Sequence, residues 1–268
     1  MKINFNNKKG EKENFKIELF IPLKLNNVQK QIILDEIYHL VKHSWGEFEK
    51  EFLEKHIFNS ERLIIARNNS YLVGFCSMSK KNILDKVVHY IEFTVIHKDF
   101  QKSGLGTKLT YGVLRDLFFK NIFKIIFKPI EVMFITPNIR TLSRAARLAE
   151  FIYPNPFEAD PITGEIFPAD DETWAMAKKL VKDENPECIL KRDGLVLSGF
   201  YLNMPWFIYN NFQIPWHSND AFNKFVDRYL GYSKKDGKEF VVRAKFGIIS
   251  LLKYYYHSMF LLFKIKKS

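Results

Sequence analysis

The chain has 268 residues, long for one minimal domain and short for two full ones, and its 47% hydrophobic content with 26 phenylalanines furnishes a large core. Lys and Arg exceed Asp and Glu by 41 to 30, and the net charge of +11 favours anionic ligands or surfaces such as coenzyme A, nucleic acid or anionic lipid. The two cysteines, Cys76 and Cys188, lie far apart with no paired spacing, which argues against a zinc site; with no apolar leader after Met1, a reducing, cytoplasmic setting is expected.

In chain order, residues 1–14 are polar and read as a flexible arm. Ile17, Leu19 and Ile21 alternate as a first strand, and Ile32, Ile33, Ile37, Leu40 and Val41 make a helical face. Phe48, Phe52, Leu53 and Ile57 make a shorter one. Two strands, Leu63–Arg67 and Tyr71–Met78, flank an Asn68-Asn69 turn, and Val87–Ile96 is the next strand. It runs into Gln101-Lys102-Ser103-Gly104-Leu105-Gly106-Thr107, after which Leu105, Leu109, Val113, Leu114 and Leu117 recur at helical spacing. The chain therefore leaves a strand, turns through two glycines and enters a helix. Glycines let backbone N–H groups approach a ligand, and a helix start adds unpaired donors with positive dipole character, which suits pyrophosphate. The run is neither the six-position dinucleotide fingerprint, lacking its third glycine, nor a P-loop, lacking Gly-Lys-Ser/Thr.

Pro129–Ile135 reads as a further strand, and Asn138 opens a helix carrying Leu142, Ala145, Ala146, Leu148 and Ala149. Beyond Tyr153-Pro154-Asn155-Pro156 lies an acidic, proline-bearing stretch, a helix at Trp174–Val181, a strand at Leu195–Tyr201, an aromatic loop at Pro205–Trp216 and a helix at Phe222–Leu230. Glu239–Ala244 reads as the last strand. The apolar segment Ile248–Phe263, interrupted by Lys253, is too short for a membrane span; it either packs on the domain or touches a membrane surface peripherally.

The Gln-x-x-Gly-x-Gly run between strand and helix resembles motif A of the GNAT superfamily, the acyl-CoA-dependent N-acyltransferases, and the resemblance covers about residues 16–153. It implies an α/β fold of the α+β kind, with a mixed, mostly antiparallel sheet flanked by helices. The domain would run from residue 15 to 246, with 154–237 inserted after the last core helix and 247–268 forming an apolar helix with a basic tail. The activity implied is transfer of an acetyl or other acyl group from acyl-CoA to a primary amine by direct attack, on a small-molecule or peptide acceptor and without a metal. Two alternatives stay open: a long-chain acyltransferase at a membrane surface, and a non-catalytic CoA-binding module. Nucleic acid is not favoured, because no nucleic-acid module is recognisable, and the oligomeric state is not read.

The resemblance assigns pyrophosphate contacts to Gln101, Lys102, Ser103, Gly104, Leu105, Gly106 and Thr107. It assigns pantetheine contacts to the backbone of Thr94, Val95 and Ile96 and to Asn138. Glu92 is the candidate general base, because a carboxylate in an apolar central strand is costly unless it has partners or water, and burial would raise its pKa toward a useful range. Strand alternation puts Tyr90 and Thr94 on its face, and His89 and His97 are fallback bases. The family's tyrosine acid is missing after Asn138, where Leu142 and Ala145 stand; Ser143, Thr141 or Tyr153 are substitutes, or water protonates the thiolate.

Overall fold

The computed structural model describes residues 2–6, 12–101, 103–200, 217–232, 237–254 and 256, with side chains from residue 15 onward. Lys102, the aromatic loop at 205–216 and the chain beyond 256 therefore lie outside the described residues. The chain divides into two compact units: residues up to 81 with 89–119, and residues 82–88 with 120–200 and the C-terminal part from 217. The described residues of the segment 154–237, read from sequence as an insertion, share the second unit with the strands on either side of it.

The first unit carries a sheet in the order β1 (Lys2–Asn6), β2 (Lys12–Phe20), β3 (Arg62–Asn68), β4 (Tyr71–Ile83) and β5 (Lys86–Ile96). The expected polar arm thus contains a strand, with Lys2–Asn6 pairing antiparallel to Lys12–Lys16. Ile3 and Phe5 do alternate with polar residues in β1, but the run is five residues long amid Lys and Asn, and Lys12–Lys16 has no such alternation, so the pair reads as a polar arm. The Asn68-Asn69 turn forms as expected, with Asn69 at φ 53°, a left-handed conformation that Asn tolerates.

Helices cover both faces of this sheet. On one side α1 (Asn27–Ser44) and α2 (Lys50–Phe58) bury Ile33, Ile37, Val41, Leu53 and Ile57 against Leu63 and Ile65 of β3, Phe75 of β4, and Phe93 and Val95 of β5. Asn26 starts α1 with a capping box: its side chain accepts from Gln29 N at 2.9 Å, while the Gln29 side chain accepts from Asn26 N at 3.1 Å. On the other face lies α3 (Leu105–Lys120), in contact with Ile64, whose side chain points away from those of Leu63 and Ile65. The approach is close. A Cβ at Gly112 would sit 2.5 Å from Ile64 Cδ1, and one at Gly74 would sit 2.7 Å from Ile96 Cδ1 and 3.2 Å from Leu109 Cδ1. Arg62 Nε donates to Asp116 Oδ2 at 2.7 Å and ties the helix to β3.

The second unit is built around β10 (Glu239–Phe246). It lies between β6 (Ile130–Thr136) on one side and, on the other, β7 (Phe151–Tyr153) and β9 (Val196–Ser198), with β8 (Ile189–Lys191) beyond β9; every one of these pairs is antiparallel. Around them run α4 (Ile122–Ile125), α5 (Ile139–Leu148), α6 (Asp171–Glu184), α7 (Asp220–Leu230) and a helical run at 248–254. Two strands go beyond the sequence reading. β7 follows directly on α5, and β8 has the pattern Ile-Leu-Lys, too short to show a period.

Phe240 to Ala244 of β10 are all fully buried, and one of them is Arg243. Arg243 Nε and Nη2 donate to the two carboxylate oxygens of Glu131 on β6 at 3.1 and 3.0 Å. Nη1 donates to Thr173 Oγ1 and Nη2 to Glu172 Oε2, both at 2.9 Å, which fastens the first turn of α6 to the sheet. Lys86 also pairs with Glu172. Hydrogen bonds from Lys86, then from Arg243, hold the Glu172 carboxyl down to about 2. Its folded value lies below the ordinary 4.5, so its contribution is complete above that pH and fades as the pH falls toward 2.

Removing one member of a buried ion pair leaves the other uncompensated. Arg243→Met is expected to cost about 3–5 kcal/mol in urea unfolding at neutral pH, and removing Glu131 as well should restore part of the loss. The wild type should lose stability between pH 4.5 and 3, and the Arg243→Met protein should lose less over that interval. Equal acid sensitivity in the two proteins would show that this network does not govern acid unfolding.

Candidate functional site

β5 leads into the Gly-rich turn through Ile96, His97 and a 3-10 turn at Lys98–Phe100. His97 opens that turn, its Nδ1 accepting from Asp99 N at 3.3 Å, and Phe100 packs edge-on against Phe15 of β2 at 5.3 Å. Gln101 folds back so that its Nε2 donates to Ile96 O at 3.3 Å. Ser103 then organises the helix start: its Oγ donates to Phe100 O at 2.6 Å and accepts from Leu105 N at 3.3 Å. Gly104 has φ 88°, a left-handed conformation that strains other residues, and a Cβ there would meet no atom within 4 Å. Gly106 lies against β5, where a Cβ would be 3.4 Å from Ile96 Cγ1. Thr107 follows in the first turn of α3.

These features fit a phosphate-bearing ligand. The backbone at Gly104 is bare and bordered by open space, and the first turn of the sixteen-residue helix α3 presents N–H donors that have no acceptor within the helix. The Leu105 N–H is already taken by Ser103 Oγ, so Gly104 and Gly106 supply the donors nearest the open side. Thr94 and Ile96 line the same α3 face: Thr94 Oγ1 donates to Cys76 Sγ at 3.4 Å, and a Cβ at Gly106 would lie 3.8 Å from Thr94 Cγ2. Val95 turns to the opposite face and joins the core under α1 and α2. Burial pushes the Cys76 thiol up to about 11.

Glu92 lies on the α1 and α2 face, with its side chain 5% exposed. Ser79 Oγ donates to its Oε1 at 2.5 Å, Lys81 Nζ is 3.6 Å from the same oxygen, and His56 Nδ1 is 3.1 Å from Oε2. Lys81 also stands over the Tyr90 ring, 5.0 Å from its centre. Tyr90 thus shares the side of Glu92, as alternation requires, whereas Thr94 does not. Phe93, the very next residue, joins the core under α1 and α2, so the alternation slips by one residue between Glu92 and Phe93, in the manner of a β-bulge. Without that slip Glu92 and Thr94 would point the same way.

His56 was not among the candidates from sequence. It continues, on α2, a spacing of four that begins at Phe48 just before the helix and passes through Phe52, and its ring packs on Phe52 at 4.2 Å and edge-on to Phe93 at 5.9 Å. A polar residue in an otherwise apolar helical stripe was the available signal. The fallback bases are engaged elsewhere. His89 Nδ1 is 3.3 Å from Glu61 Oε2, an ion contact without hydrogen-bond alignment, and its proximity holds the Glu61 carboxyl below its ordinary value. The His97 ring stacks on His43 at 4.6 Å.

Asn138 and Ser143 belong to the second unit, on α5. Asn138 caps this helix, its Oδ1 accepting from Arg140 N at 2.9 Å and Thr141 N at 3.4 Å. Ser143 is buried and its Oγ donates to Arg140 O at 3.2 Å. Burial pushes the Tyr153 hydroxyl up to about 12. Among the described residues no helix is long and apolar enough to cross a membrane.

A comparison with curated proteins finds no match. Among solved structures, the chain is similar to a GNAT family acetyltransferase, SP0256 from Streptococcus pneumoniae TIGR4, at 16% identity and TM-score 0.30, covering 38% of this chain and 67% of that one. It is also similar to the GNAT family N-acetyltransferase YhbS from Escherichia coli, solved in complex with CoA, at 16% identity and TM-score 0.34, covering 46% of this chain and 63% of that one. An aminoglycoside N-acetyltransferase, AAC(6')-Iy in complex with CoA, matches at 18% identity and TM-score 0.31, covering 40% of this chain and 72% of that one. The family description "Acetyltransferase (GNAT) family" matches residues 34–131, from α1 through the Gly-rich turn and α3 to the start of β6. Over residues 34–131 the chain is similar to the GNAT acetyltransferase family.

Proposed function

We propose that this protein transfers an acetyl or related acyl group from acyl-CoA to a primary amine by direct attack, with Glu92 as general base. The observation that carries the reading is the turn between β5 and α3, where Gly104 combines φ 88° with open space at the start of a long helix inside the family-matched segment. Gly104, Gly106 and Thr107 would hold the pyrophosphate, with the Leu105 N–H already bonded to Ser103, and the β5 backbone at Thr94 and Val95 the pantetheine arm. Ile96 O is already bonded to Gln101, which leaves that residue an orienting part. Acyl-CoA, when bound, supplies the thioester carbonyl and the thiol leaving group.

Glu92 is suited to take the proton of the attacking amine. Ser79 engages one carboxylate oxygen and His56 the other, so the group is held in one orientation while each oxygen keeps a further lone pair for an incoming N–H. His56, itself packed between Phe52 and Phe93, acts as a positioning residue. Direct attack is favoured over an acyl-enzyme through Cys76, because that thiol is fully buried and pushed up to about 11. Ser143 is spent inside its own helix, so water is the proton source for the departing thiolate in this reading. Both cysteines are free, in keeping with a cytoplasmic protein.

Acetyl-CoA or CoA is expected to raise the thermal unfolding midpoint, since a ligand that binds the folded state alone stabilises it by mass action. Gly104→Val should destabilise the unliganded protein by about 1–3 kcal/mol through the left-handed backbone and should abolish the ligand-induced rise. A rise that survives the substitution would remove the turn from the binding site.

Glu92→Gln should retain the thermal response to acetyl-CoA but lower amine-dependent CoA release from acetyl-CoA, measured over a panel of primary amines, by about 10²–10⁴-fold. His56→Gln should lower kcat by less and displace the pH profile, with KM for acetyl-CoA unchanged. Wild-type turnover in the Glu92→Gln protein would eliminate Glu92 as the base.

A further inference from the structure

We propose that the segment from Lys120 to Lys128, in the second unit, is a docking surface for anionic membranes. Its sequence, Lys-Asn-Ile-Phe-Lys-Ile-Ile-Phe-Lys, sets three patterns side by side with a spacing of four: Lys120, Lys124 and Lys128; Ile122 and Ile126; Phe123 and Phe127. The backbone makes that spacing a surface. Ile125 N donates to Asn121 O at 2.9 Å and Lys128 N to Lys124 O at 2.8 Å, so the segment coils as about two helical turns. Ile125 alone of its apolar residues is buried, at 2% exposure, and anchors the coil. Phe123 and Phe127 stand 82% and 88% exposed and Ile126 53%.

Two nearly bare phenylalanines beside an exposed isoleucine form an apolar patch of the kind that marks an interaction site. The charges beside them identify the partner. Lys124 and Lys128 are exposed, and between Asp116 and Glu131 the sequence has no acidic residue at all. A protein partner is ordinarily met with mixed charges and hydrogen-bonding groups; a segment of aromatic and aliphatic side chains whose own charges are all cationic matches a bilayer interface. There the rings enter the boundary of headgroups and acyl chains while the ammonium groups reach the lipid phosphates. The whole chain supports the same field, with a net charge of +11. This segment is separate in sequence from the apolar C-terminal one, for which packing on the domain and membrane contact were both open, and it owes nothing to the acyl-CoA reading.

The test uses the full-length protein in co-sedimentation with phosphatidylcholine vesicles, with and without phosphatidylserine. The wild type should sediment with the anionic vesicles, less so at high salt, and stay in solution with the neutral ones. Phe123→Ser/Phe127→Ser should weaken partitioning at least about tenfold, and Lys124→Glu/Lys128→Glu by about fivefold or more for each charge removed. All four side chains are exposed, so the variants should keep the wild-type thermal midpoint. Absence of wild-type binding would overturn the proposal. So would undiminished binding by both variants, which would place membrane contact on the C-terminal segment, or loss of self-association in the phenylalanine variant with vesicle binding intact, which would make the patch a contact between copies of the chain.

Discussion

A guanidinium with no exposed surface lies in the central strand of the second unit, and much of that unit is arranged to satisfy it. Arg243 engages Glu131 through two parallel bonds, and its remaining donors reach Thr173 and Glu172 at the start of α6. Placing a charge there is unfavourable unless every donor is matched, so β6 and α6 must arrive together for β10 to be buried at all. The pairing therefore specifies as much as it stabilises. It joins Glu131 at residue 131, at the edge of the family-matched segment, to residues 172, 173 and 243, which lie far beyond it. The long C-terminal part is in this sense required by the core strand and is more than an appendage to it.

In the first unit the governing constraint is the close approach of α3 to its sheet. A Cβ at Gly74 or Gly112 would have to displace the Cδ1 of Ile96 or Ile64, and the Arg62 to Asp116 bond ties the helix to β3. The start of α3 is thereby set against the end of β5, which is what a phosphate-binding turn needs if its N–H groups are to be held in place before a ligand arrives. The slip between Glu92 and Phe93 solves a second problem on the same strand. One strand has to present Thr94 toward the turn and a carboxylate toward α2, and strict alternation would send both to one side. The slip gives each its own face.

The sequence made much of this legible where period and punctuation agree. The Asn68-Asn69 turn, the strand before Gly104 and the helix after it are all marked by local residues whose conformational needs are plain, and they form where expected. The rest depended on pairings between distant positions. β1 offers only Ile3 and Phe5 as apolar alternation, β8 is three residues long, and nothing near Arg243 in sequence announces Glu131 or Thr173. His56 was visible as a polar break in the stripe of Phe48 and Phe52, yet its partner is a strand residue thirty-six positions away. Alternation misplaced Thr94 relative to Glu92 because a single-residue slip leaves no trace in composition.

The two ends of the candidate chemistry are specified to different degrees, and the reason is physical. A pyrophosphate is recognised by backbone N–H groups and a helix start, which any sequence of the right conformation supplies; Gly104 and Gly106 are sufficient to mark it. A general base has to be held by side chains, and Glu92 is held by three of them, from α2 and β4, none adjacent to it in sequence. An acceptor amine is selected by shape and charge beyond both, from side chains with no shared backbone requirement. Each step away from the cofactor thus moves recognition from backbone to side chain and from local to distant residues. In the proposed reading the donor site is local to the Gly-rich turn, the base requires the folded sheet, and the acceptor is what Glu92 and the turn admit between them.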